Sequence, residues 1–167
     1  MLCASLAALA SASGAAAEAR PIGWPTLQGA VEEPPKGTDA RARPAWPLDG
    51  ESVEIKGYAL PVDRDGDLVY EFMLVPWAGA CSHMAQPPPD QVIHVTAVTP
   101  FRMTQAYQFV SISGRIRPGV EKTQLFIMDG VVVIESGYSI GRAEVAAADE
   151  GSAPMPARKS SPWSFIK

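Results

Sequence analysis

Cysteine is nearly absent from this 167-residue sequence, which carries only Cys3 and Cys81. Neither a disulfide framework nor a paired Cys-x-x-Cys metal motif can be built from two such distant thiols. Positive charge is also short: Lys and Arg number 14 against 18 Asp and Glu, the net charge is −4, and the pI is near 5.2. That balance excludes nucleic acid as a main partner, because phosphate binding needs a dense basic surface. No 3.6-residue apolar period lasts longer than two helical turns, which excludes a helical bundle. What the chain does have is 16 Pro and 14 Gly, mostly outside the periodic segments, and a hydrophobic fraction of 47%. Its length allows one domain with a real core and additional segments.

Residues 1–19, "MLCASLAALASASGAAAEA", contain no Lys or Arg and are almost wholly small or apolar. The apolar part is shorter than the roughly 20 residues a spanning helix needs. It reads as the core and cleavage zone of a signal peptide, with Ala17–Glu18–Ala19 fitting the Ala-x-Ala rule. A positively charged start is missing, which leaves two alternatives: a translation start upstream, or an Ala-rich segment that is not exported. Membrane association is expected only through a lipid anchor on such an upstream start. Once the signal is removed, Cys81 is the sole thiol, either buried as a small hydrophobe or used for ligation, reactivity or intermolecular pairing.

Residues 20–45 form a Pro-rich lead-in, with Trp24, Leu27 and Trp46 as its expected contacts to the core and a mobile middle. Residues 46–143 are the folded domain, and 144–167 a small-residue, Pro- and Ser-rich tail expected to be disordered. Within the domain, "ESVEIKGYALPV" alternates as a strand with a bulge or bend at Gly57. Asp65–Gly66 signals a hairpin into the apolar run "LVYEFMLV". "QVIHVTAV" and "AYQFVSISGRIRPG" follow, then two apolar strands around Asp129–Gly130. Asp63, Asp65 and Asp67 resemble a calcium loop but lack its Gly and its final Glu, so they are turn formers. About six short strands with a Gly-kinked "VSISGRI" predict an all-β fold, a small OB-like, partly open Greek-key barrel, with a β-sandwich as the alternative.

"VPWAGACSHMAQPPPDQVIHV", residues 75–95, interrupts two strands with the chain's chemistry. On extended backbone Cys81 and His83 project to one face, with Cα atoms ~6–7 Å apart, close enough to converge on one ion. Zinc is favoured; Met84 adds a soft thioether that keeps copper open. A third ligand would come from Met84, Asp90 or His94. Pro87, Pro88 and Pro89 predict a stiff polyproline course that presents the loop. Trp77 beside them could anchor a partner, because rigid segments lose little entropy on docking. The bland reading is a buried thiol and an imidazole bonded to backbone. A Cys–His nucleophile lacks both an orienting group and a nucleophile motif, so a non-enzymatic role is favoured.

"LDGESVEIKGYALPVD", "YEFMLVPWAGACSHMAQPPPDQVIHV", "VSISGRI" and "ESGYSI" together resemble the bacterial exported proteins known as domain of unknown function 3299. The signature of that family is Gly-Tyr-x-x-Pro, then Phe-Leu-Leu-Val-Pro, then Gly-Ala-Cys-x-His-x-Pro-Pro-Pro-Pro-Asn-Gln. The resemblance spans roughly residues 46–143, and Trp24 and Leu27 match a Trp-x-x-Leu lead-in. Cys81, His83, Pro87, Pro88, Pro89 and Gln91 match the signature. Gln86 replaces a proline, Asp90 an asparagine, and His94 stands where tyrosine is usual. The resemblance implies a periplasmic or envelope-attached protein, often encoded beside components of ATP-binding-cassette transporters, with a shared Cys-x-His site and no established activity.

Overall fold

The computed structural model describes residues 18–28, 46–80, 85–105, 107–127 and 130–152. Strands β1 (Arg20–Pro21), β2 (Ser52–Asp65), β3 (Leu68–Val75), β4 (Ile93–Arg102), β5 (Gln108–Ile127) and β6 (Gly130–Ala147) form one sheet in the order β1-β2-β3-β4-β6-β5. β2 also pairs with β5, so five of the strands close into a ring, all antiparallel except the β4–β6 pair. That circuit is an OB-like Greek-key barrel, and the described residues include no α-helix. Each ring strand has partners on both sides over part of its length, whereas Leu60–Asp65 of β2, Ile116–Ile127 of β5 and Gly130–Ser136 of β6 pair with a strand on one side only among the described residues.

Alternation along the strands fills the ring. Val53, Ile55 and Ala59 of β2, Phe72 and Leu74 of β3, Ile93 and Val95 of β4, and Ile112, Tyr138 and Ile140 of the closing strands are all buried in one cluster. Asp65 faces Leu68 across a turn in which Gly66 has φ +58°, a backbone region glycine occupies without strain. The expected hairpin at Asp65–Gly66 forms for that reason. At the other hairpin, Ile127 faces Gly130, and the two residues between lie outside the described set.

Two local expectations change. Gly57 makes no bulge: the ladder to β5 runs through Gly57↔Val110 unbroken, and the irregularity in β2 falls at Pro61–Arg64. Glycine is needed there because a Cβ would lie 2.8 Å from the Val75 carbonyl oxygen and 2.9 Å from Cζ2 of Trp24. Gly114, by contrast, does sit at a register shift, where a Cβ would come within 2.5 Å of Ile140 Cγ2. In addition, the run from Gln108 through "TQLFI" is one strand, Gln108–Ile127. Gly119 and Val120 form a bulge between Pro118↔Tyr138 and Glu121↔Ser136 rather than a break. A proline is tolerated because the outer edge of β5 has no strand partner there among the described residues.

The lead-in straps one end of the barrel. β1 pairs in parallel with Val53 and Glu54, and Trp24 and Leu27 are buried in the core. Trp46 packs against the Tyr138 ring at 5.1 Å. The middle of the lead-in, residues 29–45, is outside the described residues, as are 1–17 and 153–167. Glu144–Ala147, assigned to the tail from sequence, belong to β6, because they pair with Val110–Ser113.

Candidate functional site

Beyond Glu121 and Ser136, β5 and β6 leave the ring as a hairpin lying against the barrel's outer side. Leu125 and Ile134 are buried there with Leu60, Met73, Val75, Ala80 and Val92. The β3–β4 connection, which holds the sequence's candidate residues, emerges beside this second cluster. Cys81, His83 and Met84 lie outside the described residues. The chain on either side of them is held at several points. The Tyr107 hydroxyl donates to the carbonyl of buried Ala80 at 2.5 Å. Gln86 Nε2 donates to the Val133 carbonyl on β6 at 3.2 Å.

Pro88 has φ −65° and ψ 157°, the polyproline course expected of the triplet. Pro87 is buried, Pro88 exposed and Pro89 half-buried. The chain then makes a 3-10 turn, Pro89–Gln91, closed by Gln91 N–H to the Pro88 carbonyl at 2.8 Å. Gln91 is buried, and its Nε2 donates to the Trp24 carbonyl at 3.2 Å. The Gln91 side chain therefore ties the loop to the N-terminal strap rather than facing a partner. Trp77 is half-buried against the second cluster, with its Nε1 buried and lacking a hydrogen-bond partner among the described residues.

His94, a third-ligand candidate, sits on the outer face of β4 between two carboxylates. Nδ1 lies 3.0 Å from Glu121 Oε2, and Nε2 lies 2.5 Å from Glu71 Oε1 without hydrogen-bond alignment. Both ring nitrogens thus lie beside a carboxylate, although Nε2 makes no hydrogen bond among the described residues. Among the described residues, no group of three or more His, Cys, Asp or Glu is arranged to hold a metal ion. Asp90 acts on Tyr138 instead. Burial above all, and then the Asp90 charge, push the Tyr138 phenol up to about 12, while its hydroxyl donates to the Leu27 carbonyl at 2.6 Å.

The feature that sequence reasoning missed is the outer face of the hairpin. The cross-strand pairs Lys122↔Glu135, Gln124↔Val133 and Phe126↔Val131 share one face. Phe126 is 83% exposed, Val131 58% and Val133 46%. A groove of about 550 Å³ runs between this face and the loop, lined by Gln86, Pro87, Pro89, Lys122, Val133 and Glu135. Lys122 Nζ and Glu135 Oε1 pair at 2.7 Å, so the groove combines apolar floor, proline wall and a neutralised ion pair. A larger open groove of about 700 Å³ lies elsewhere, over Glu54, Lys56, Ser111, Ser113 and Glu144, and contains none of the candidate residues.

The family model for proteins of unknown function, DUF3299, matches residues 30–147. A crystal structure of a DUF3299 family protein from Pseudomonas aeruginosa PAO1 is similar at TM-score 0.53 and 23% identity, over 78% of this chain and 98% of that one. This likeness concerns the fold alone. No curated protein matches the chain. With a family match across the loop and all five barrel strands, the chain belongs to the DUF3299 family of proteins of unknown function.

Proposed function

We propose that this protein is an exported, non-catalytic accessory module of an envelope transport system. It docks on a component of an ATP-binding-cassette transporter through the Pro-rich loop and the adjoining outer face of the β5–β6 hairpin. The observation that carries the docking reading is the exposed ladder of Phe126, Val131 and Val133 beside a loop already fixed by Ala80, Gln86 and Gln91. Contiguous apolar surface of this kind marks interaction sites, and a pre-ordered loop lowers the entropic cost of binding. Phe126 is the aromatic anchor, a role better suited to it than to half-buried Trp77. Export rests on the signal-like residues 1–19, with a periplasmic or envelope-attached location, and the transporter partner rests on the family resemblance.

Capture of purified transporter subunits by the immobilised protein tests the reading. Phe126→Ser with Val133→Ser removes the apolar ladder at positions that contribute nothing to the core, so folding persists while capture falls at least about tenfold. Capture equal to that of the parent protein ends the docking reading.

A second reading has its own support. Cys81, His83 and Met84 follow directly on the fixed Ala80 and precede the fixed Gln86, so a metal would bind between two anchored ends. Zinc suits the Cys81–His83 pair and copper is the lesser alternative through Met84. A third ligand would come from Met84, Asp90 or His94. Elemental analysis of the purified protein and of a Cys81→Ala/His83→Ala variant tests it: near-stoichiometric zinc, lost in the variant, is the expected result. Metal-free protein whose stability ignores added zinc removes this reading.

A further inference from the structure

The hairpin that leaves the ring has two edges, and they differ. Along β6 the Pro-rich loop closes the edge: Gln86 Nε2 donates to the Val133 carbonyl at 3.2 Å, and Pro87 and Pro89 stand beside Val133 and Glu135. Along β5, no strand pairs with the outer side of Ile116–Ile127 among the described residues. Pro118 and the bulge at Gly119–Val120 blunt the first part of that edge, a usual defence against edge-to-edge pairing. Beyond Lys122, the run Thr123, Gln124, Leu125 and Phe126 carries no charge, proline or bulge.

The ladder fixes where the backbone groups of this run point. The Val133 carbonyl accepts from Gln86 and so faces out of the hairpin. In an antiparallel pair the residue opposite such a group turns its own N–H and C=O to the far edge. That residue is Gln124. With the two-residue period of a strand, Lys122 and Phe126 aim their backbone groups the same way.

We infer that a second copy of this chain pairs along this edge, β5 to β5, antiparallel about a two-fold axis at Gln124. In that register the Gln124 amides of the two copies meet, and an amide both donates and accepts, so it matches itself. At either end the Phe126 ring, 83% exposed in the single chain, lies across from the aliphatic stem of Lys122 in the other copy. An axis at Lys122 would bring two ammonium groups face to face. An axis at Thr123 would draw the bulged Val120 into the ladder opposite Phe126. Because the loop closes the β6 edge, copies cannot add head to tail, and association stops at two. The inference goes beyond the docking reading: it uses the rim of the hairpin, not its outer face.

Sedimentation velocity of the full chain, from about 1 μM to about 1 mM, should show a monomer–dimer equilibrium with no larger species, as suits a small interface. Gln124→Pro removes the central N–H on the open edge and should leave a monomer throughout. A charge pair keeps the test independent of any folding defect in that variant. Gln124→Lys and Gln124→Glu each set like charges on the axis and should dimerise about fivefold more weakly than the parent, while their equimolar mixture regains the parent affinity. Only a position that faces its own copy gives this pattern. A parent that stays monomeric over the whole range, growth past the dimer, or a mixture no tighter than its components overturns the inference. In a monomeric parent, slow hydrogen exchange at the Gln124 amide would assign the edge to another segment of the same chain, and fast exchange would leave it to an extended segment of another protein. No transporter component enters these measurements, so their outcome is separate from that of the docking reading.

Discussion

Burial holds the Tyr138 phenol protonated well past the pH at which a free tyrosine ionises, and Tyr58 is shifted the same way by burial and by the Glu150 charge. The sign follows directly. Below the ordinary value of 10.0 both folded and unfolded chains keep the proton, so this contribution to stability is complete. Between 10.0 and about 12 the unfolded chain releases it while the folded one does not, and stability falls as pH rises. For Tyr138 the loss reaches about 2–3 kcal/mol at most, and urea unfolding across that window measures it. Tyr138→Phe should lower stability at neutral pH, through the lost bond to Leu27, and flatten the alkaline decline. A second single-residue expectation concerns Gly57. Gly57→Ala forces its new methyl against the Val75 carbonyl and the Trp24 ring and should cost about 1–3 kcal/mol in urea unfolding. A Trp24→Ala background should absorb part of that cost, because one of the two collisions disappears.

At the level of strands, His94 is the joint that connects β3, β4 and the hairpin base, through Glu71 and Glu121. His94→Phe leaves two carboxylates facing an apolar ring and should destabilise the fold by about 1–3 kcal/mol, with partial recovery on adding Glu121→Gln. Equal urea midpoints in parent and variant would show that the joint carries nothing. Sequence foresaw the β2–β3 hairpin because Asp65–Gly66 separates two alternating runs with a residue pair that tolerates positive φ. It foresaw the Pro-rich loop and the buried Trp24 and Leu27 for equally local reasons. It could not foresee the continuity of β5, since Pro118–Gly119 reads as punctuation until the register shows a bulge at an unpaired edge. Nor could it separate the wet and dry faces of the hairpin: Val131, Val132, Val133 and Ile134 are apolar on both, and only the barrel's position decides that Ile134 is buried and Val133 exposed. The His94 joint joins residues far apart in the chain, with no local pattern to announce it.

For the whole molecule, the strap is what unites lead-in, loop and barrel, through Trp24, Leu27, Gln91 and Tyr138. The expectation at this scale is a combined Trp24→Ala/Leu27→Ala variant that unfolds at a markedly lower temperature, with a stability loss of several kcal/mol, roughly 4–8 from two buried large side chains. A thermal unfolding curve matching the parent would mean that the ring stands without its strap. Ring closure has a further effect in time. The seam between β2 and β5 joins residues as distant as Ser52 and Arg115, and β4 finds its parallel neighbour only in β6, the last of the described strands to be synthesised. Until that strand arrives, the apolar stretch of β3 has no complete sheet to enter. The newborn polypeptide must therefore be kept from sticking to other chains until its final third is available, and its birth should be slow and sensitive to crowding, whichever side of a membrane it matures on.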